Sequence, residues 1–266
     1  MPHLANSPEL VFVISAVVLA GSVWFGNGVL SKYRTKDTET SADLGIIQTA
    51  TLTLLGLIIG FTFSMAIARY DLRQTYEEAE ANAIGTEFLR ADLLPSKTAE
   101  TIKGLLNDYL DQRILFYSKQ DQETAKQITQ RTAALENAMW AELLPIARTQ
   151  STATIALVVS GMNDVINSQG YTQAAWWNRI PSAAWWLMAA IAIGANILVG
   201  FGARNFKKNI GLFMIFPAMV AISFFLIADI DSPRGGVIRI DPRNLIDLKQ
   251  NIAPKNSATY SMGDKK

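Results

Sequence analysis

Four stretches of this 266-residue chain contain no Asp, Glu, Lys or Arg: Leu10–Leu30, Leu44–Ala68, Ser182–Ala203 and Ile210–Ala228, of 21, 25, 22 and 19 residues. A helix crossing the hydrocarbon core of a bilayer needs about 20 mostly apolar residues at about 1.5 Å rise each. All four stretches come close to or exceed that length. Only 18% of the whole chain is charged, against about a quarter in an average soluble domain, and the deficit is concentrated in these stretches. The pattern specifies an all-α polytopic membrane protein with four transmembrane helices.

Composition excludes several kinds of chemistry. There is no cysteine, so disulfides, thiolate nucleophiles and cysteine metal sites are absent. The single histidine, His3, sits at the N-terminus, where solvation is its ordinary fate. Without a second histidine, the serine triad and the usual zinc, haem and copper sites lack their main ligand or base. No nucleophile–base set is in sight, so an enzyme is the weakest of the functional readings. No cofactor is implied. A net charge of +1 gives no basic field, and nucleic acid is not an expected partner.

The chain divides into residues 10–68 (spans one and two), 69–181 (a helical extramembrane region), 182–228 (spans three and four) and 229–266 (a C-terminal tail whose end is polar and expected to be mobile). The N-terminus lacks the basic region of a secretory signal, so Leu10–Leu30 reads as a retained span. Ser41 or Asp43 suits the N-cap of the second span. No proline interrupts Leu44–Leu94, so one long helix, or two abutting ones, is expected to run beyond the bilayer from Arg69 to Pro95. Helices are then expected from Ser96, over about Gln120–Leu144 with a break or kink at Pro145, and over Ser151–Ile166 with Gly170 as its end. Gly236–Ile240 is the one strand-like piece. Trp176, Trp177, Trp185 and Trp186 bracket the start of the third span, as headgroup-level tryptophans do. A core position is reasonable for the first two and poor for the last two.

Three groups of residues are candidates for function. The second span carries a stripe of small side chains, Gly45, Thr49, Thr53, Gly56, Gly60 and Ser64, at spacings of three and four that place them on one helix face. Close helix packing is its ordinary use. A pore wall is the sharper one, with Gln48 and Thr51 adding polarity on an adjacent face. Arg69, Asp71 and Arg73 at the end of the second span, with Asp229 and Asp231 at the end of the fourth, form either an interfacial salt-bridge cluster or a cation site of carboxylates and carbonyls. Glu77, Glu80, Ile84 and Glu87 form a row on the helical extension. Such a row is usually a solvated face; in a ring of subunits its three acids would become stacked rings that favour cations over anions. No span contains an ionisable residue, which argues against a proton-coupled pump or a voltage sensor. Asn27 and Asn196 are expected to bond to neighbouring helices.

The block Gly60–Pro95, GFTFSMAIARYDLRQTYEEAEANAIGTEFLRADLLP, together with Asp229–Ile240, DIDSPRGGVIRI, resembles the bestrophin-like membrane-protein family of bacteria. The Tyr109–Tyr117 segment, Trp140 and the Ser160, Asn163 and Asp164 neighbourhood fit the same pattern. At a greater distance the chain resembles bestrophins, pentameric anion channels with four spans, a long second helix and a calcium clasp of consecutive acidic residues. In place of that run, this chain has Asp229 and Asp231 separated by Ile230. The resemblance implies a homo-oligomeric ion channel in a lipid bilayer, with small ions as its substrates. The alternative is a non-conducting scaffold or sensor whose extramembrane helices bind a partner.

Four spans put both termini and the helical region on one side. The two short loops on the other side hold Lys32, Arg34, Lys36, Arg204, Lys207 and Lys208. Seven basic residues lie near the spans on the opposite side, spread over far more chain. The positive-inside rule weights short loops most, which places the loops in the cytoplasm of a bacterial inner membrane and the termini outside, opposite to the arrangement in bestrophins. A reporter active only outside the cytoplasm, fused after Lys266, is expected to be active. Activity of a cytoplasm-only reporter at that position would reverse the orientation.

Overall fold

The computed structural model describes residues 7–33, 38–118 and 122–252. His3, Arg34, Lys36, the start of the helix expected near Gln120 and the tail beyond Ile252 lie outside them. Eight α-helices appear among the described residues: α1 (Pro8–Gly28), α2 (Thr38–Arg90), α3 (Ser96–Ser118), α4 (Gln122–Thr149), α5 (Ala153–Trp177), α6 (Ser182–Gly202), α7 (Ile210–Asp231) and α8 (Arg243–Ile252). No strand appears among them. Four helical segments, Pro8–Lys32, Asp43–Leu93, Ala153–Gly202 and Ile210–Asp231, are long and apolar enough to cross a membrane.

α2 is one unbroken helix of 53 residues. At about 1.5 Å per residue it is far longer than a hydrocarbon core of about 30 Å. It starts at Thr38, which puts Ser41 and Asp43 inside the helix rather than at its cap. Its end is set by Pro95: a short 3-10 turn over Ala91–Leu93 leads to Leu94, extended at φ −88 and ψ 162, the backbone that a following proline demands.

Two other helices outrun expectation. α4 passes through Pro145 and closes with Gln150 N–H donating to Ile146 O at 2.8 Å. The proline forfeits one helical bond, and the turn after it still forms. α5 begins with Thr152 Oγ1 accepting from Ile155 N–H and passes Gly170 to reach Trp177. A helical glycine costs about 1 kcal/mol. The buried face on either side of it, from Val165 and Ser168 to Thr172, Ala175 and Trp176, outweighs that cost.

Contacts divide the chain into two compact units. The first comprises the described residues of Met1–Arg73 and Ala174–Ile240. Its core is formed by Leu19, Leu55, Ala66, Met188, Val220 and Phe224 with their neighbours. α1 and α6 approach to backbone contact: a Cβ on Gly200 would overlap the Val23 carbonyl, and one on Gly26 the Ile197 carbonyl. Asn27 seals this contact, its Nδ2 donating to Ala203 O at 3.1 Å. Asn196 instead donates to Ala192 O of its own helix. Trp185 packs edge-on to Phe224 at 6.3 Å and Trp186 is exposed. Trp176 is buried under the Arg234 guanidinium, whereas Trp177, 75% exposed, is no core residue. The strand expected at Gly236–Ile240 is an irregular loop with no neighbouring strand.

The second unit comprises Gln74–Gln173 and the described residues of Asp241–Lys266. α3 and α4 pack together and bury Ile102, Leu106 and Leu110 on one and Leu135, Met139 and Leu143 on the other. Lys249 of α8 reaches Asn107 and Asp111 of α3 at 2.9 and 2.8 Å.

Candidate functional site

In the first unit α2 presents three kinds of surface. Leu55, Thr62, Ala66 and Arg73 are buried. Leu54, Leu57, Phe61 and Met65 are exposed and large. Gly45, Thr49, Thr53, Gly56, Gly60 and Ser64 form a third face, small and exposed at every position. A Cβ built on Gly45, Gly56 or Gly60 would meet nothing within 4 Å. The glycines therefore do not pack inside the subunit. Thr49 and Thr53 donate their hydroxyls to the carbonyls four residues before them at 2.8 and 2.9 Å, which leaves oxygen lone pairs outward. Gln48 and Thr51 are separated from this face. Gln48 is half-buried against α6, where a Cβ on Gly202 would lie 3.2 Å from its Oε1. Thr51 is also half-buried and bonds back to Ile47 O.

The interfacial charges form no open cation site. Arg73, 1% exposed, donates from Nε to Ala175 O at 3.2 Å, from Nη1 to Ile230 O at 3.3 Å, and from Nη2 to Asn178 O and Asp231 O at 3.3 and 3.2 Å. These carbonyls belong to the C-terminal ends of α5 and α7, where helices leave acceptors unpaired and carry partial negative charge. A guanidinium with five donors meets that need. Asp229 accepts from the backbone N–H groups of Val237 and Ile238, both at 2.8 Å. The loop closes over it at Gly236, whose φ of 82° and lack of a Cβ are both required there. Asp231 accepts from Ile180 N–H at 3.1 Å and pairs with Arg179 at 3.3 Å. Arg69 donates to Asn178 Oδ1 at 2.7 Å, and Asp71 is exposed. The buried cation of this cluster is Arg73 itself.

In the second unit the row Glu77, Glu80, Ile84 and Glu87 is not a solvated face. All four side chains are fully buried, so the three acids are not vestibule charges. Glu77 caps α8: its Oε1 accepts from Leu245 N–H at 3.1 Å and its Oε2 from Asn244 Nδ2 at 2.6 Å. Glu80 is paired with Arg113 of α3 and also accepts from Tyr117 at 3.3 Å and Thr172 at 3.1 Å. Burial is the largest single influence on the Arg113 guanidinium and works to lower its pKa, but the Glu80 charge and hydrogen bond, with Tyr109 and Tyr117 beside them, together outweigh it and hold the guanidinium above its ordinary range. Burial and the same charge push the Tyr117 hydroxyl up. Glu87 lies against Gly161 of α5, where any side chain would overlap its carboxylate, with Arg90 at 4.0 Å. Ile84 in the row was the readable signal: an apolar residue in register with the acids marks a face turned inward. The acid that α2 does expose in this unit is Glu78, with Thr75 and Asn82 exposed three and four residues to either side.

A family model for the Bestrophin-like domain matches residues 13–245. No curated protein matches the chain. Among solved structures, a singly substituted form of a bacterial bestrophin homologue from Klebsiella pneumoniae superposes with a TM-score of 0.63 at 11% identity, covering 92% of this chain and 98% of that one. Another structure of the same homologue gives 0.58 at 13% identity, with 91% and 98% covered. At such identities the likeness is one of fold.

Removing one partner of a buried ion pair strands the other charge, at a cost of about 3–5 kcal/mol. Arg113→Met is therefore expected to lower the thermal midpoint of the detergent-solubilised protein, followed by circular dichroism, sharply. Glu80→Leu combined with Arg113→Met is expected to lower it less. Equal losses in the single and double variants would show that the pair is not a buried, mutually dependent one.

Proposed function

The chain belongs to the bestrophin-like family, and on that premise we propose that it is a homo-oligomeric ion channel whose conduction path is lined by the small face of α2. One observation carries this reading. Thr49, Thr53, Gly56, Gly60 and Ser64 share an exposed face that the subunit itself leaves uncovered. In lipid, small faces let backbones approach and associate, and backbone and hydroxyl oxygens along such a face are the usual lining of a path for small ions. Copies arranged about an axis would place this face inward and leave Leu54, Leu57 and Phe61 to lipid. Gln48 and Thr51, turned into the subunit, fall out of the lining. The charges of Lys32, Arg204, Lys207 and Lys208 favour the short loops on the cytoplasmic side.

Purified protein reconstituted into planar bilayers is expected to conduct, and to run as a multimer on native mass spectrometry. Gly60→Leu is expected to weaken both, because a large side chain forces the second spans apart. A single-subunit mass in mild detergent, or intact oligomers silent across voltage, pH and calcium, would contradict the channel and favour a non-conducting scaffold.

A further inference from the structure

We propose that the second unit holds a binding site for a small organic ammonium ion, built on Glu87 and Asp164 at a cavity between α2 and α5; the inference rests on this unit alone and goes beyond the channel reading. Glu87 is fully buried. The other two acids of its row have donors: Leu245 and Asn244 for Glu77, and Arg113, Tyr117 and Thr172 for Glu80. Neither oxygen of Glu87 accepts a hydrogen bond among the described residues. Arg90 Nη1 lies 4.0 Å from Oε2, beyond hydrogen-bond reach. Burying a carboxylate without donors is costly, and such a group points to a partner that the protein's own side chains do not supply.

Space for that partner adjoins the acid. A cavity of about 270 Å3 is lined by Asn82, Ala83, Thr86 and Arg90 of α2 and by Gly161 and Asp164 of α5. Any side chain at Gly161 would overlap both the Glu87 carboxylate and Arg90 Nη1. Glu87 therefore stands at the wall that Gly161 forms, and the missing side chain is what lets it approach. Asn82, Thr86 and Asp164 are exposed, so the cavity has a polar rim open to solvent and a buried acid at its wall.

The chemistry of these groups selects the occupant. The charges that act on Glu87 are Arg90 and Asp164, so two acids meet one base and leave a negative charge for a ligand to match. An anion is repelled by both carboxylates. A metal ion is poorly served: no group of three acids or histidines that could hold one occurs among the described residues. The cavity is also far larger than a bare ion needs, since the share of one water in the liquid is about 30 Å3. A primary ammonium brings one positive charge and three N–H donors, as a lysine head does. Those donors suit Glu87, Asp164 and a neutral oxygen of Thr86 or Asn82, and donation from a cation to a carboxylate makes the stronger kind of hydrogen bond.

Calorimetric titration of the full-length protein in detergent, at fixed sodium chloride concentration, tests this. Methylammonium is expected to bind saturably. Tetramethylammonium carries the same charge without an N–H donor and is expected not to bind. Glu87→Gln keeps the shape of the side chain and removes its charge, and should weaken methylammonium binding at least about tenfold. Asp164→Asn alters an exposed position, leaves the core untouched and should weaken binding in the same direction. Glu100→Gln, which removes an equal charge from the exposed surface of α3, should change nothing. No saturable methylammonium binding, so that only water or a proton meets the acid, would overturn the proposal. Equal binding of tetramethylammonium would do the same. So would wild-type affinity in Asp164→Asn, or in Glu87→Gln shown to be folded by circular dichroism. Each of these results leaves the channel reading where it stands.

Discussion

The rotation of α2 about its own axis is fixed by charged side chains buried along one face, and everything functional follows from that rotation. In the first unit Arg73 is the fixing group. Its guanidinium satisfies four backbone carbonyls at the ends of two helices. Rotating α2 would strand both the cation and those acceptors, each a cost of several kcal/mol for buried groups. In the second unit Glu77 and Glu80 play the corresponding part for the residues of α2 that belong to it. One caps α8 and the other meets Arg113, Tyr117 and Thr172. With the Arg73 face committed, the small residues of the first unit have only the outside left.

Charge placement here runs against the usual reading of a helix. Acidic and basic residues at helical spacing normally mark solvent, since burying a charge without partners is prohibitive. α2 escapes the penalty by giving nearly every inward charge a partner. The large apolar side chains, by contrast, face outward, as a lipid-exposed helix allows. A soluble helix of the same amphipathicity would be turned the other way round.

The architecture was legible because it depends on length and on the absence of charge. Four uncharged stretches of about 20 residues read as spans, and the proline-free run from Leu44 to Leu94 permits one long helix or two abutting ones, of which the structure has the single helix. The block from Gly60 to Pro95 carried the family likeness for the same reason: it is long, and it includes the residues that lock the helix. The small face was legible too, because glycine and threonine at spacings of three and four need no partner to be recognised. Only Ile84, in register with Glu77, Glu80 and Glu87, marks locally which acids face inward; the partners that bury them do not show in the sequence. Glu77, Glu78 and Glu80 are near neighbours of identical chemistry, and their fates depend on Asn244, Arg113 and Thr172, which lie far away in sequence. The interfacial cluster was ambiguous for the same reason. Nothing local says that Arg73 fills the space a metal cation would need, or that the Asp229 carboxylate is wrapped by its own downstream loop. Gly170 of α5 is overridden by the buried face around it, whereas α4 continues past Pro145 because the proline forfeits only its own N–H bond and Gln150 N–H still reaches Ile146 O.

The central claim is that the small face of α2, and not its flanks, meets the second spans of other copies. The chain contains no cysteine, so single cysteines report without a background. A short bis-maleimide applied to membranes holding Thr53→Cys should link subunits into dimers. With Gln48→Cys, whose side chain lies against α6 of its own subunit, the same reagent should leave single chains. Linking through position 48 with none through position 53 would show that α2 is rotated otherwise in the assembly and would contradict the pore lining derived from it.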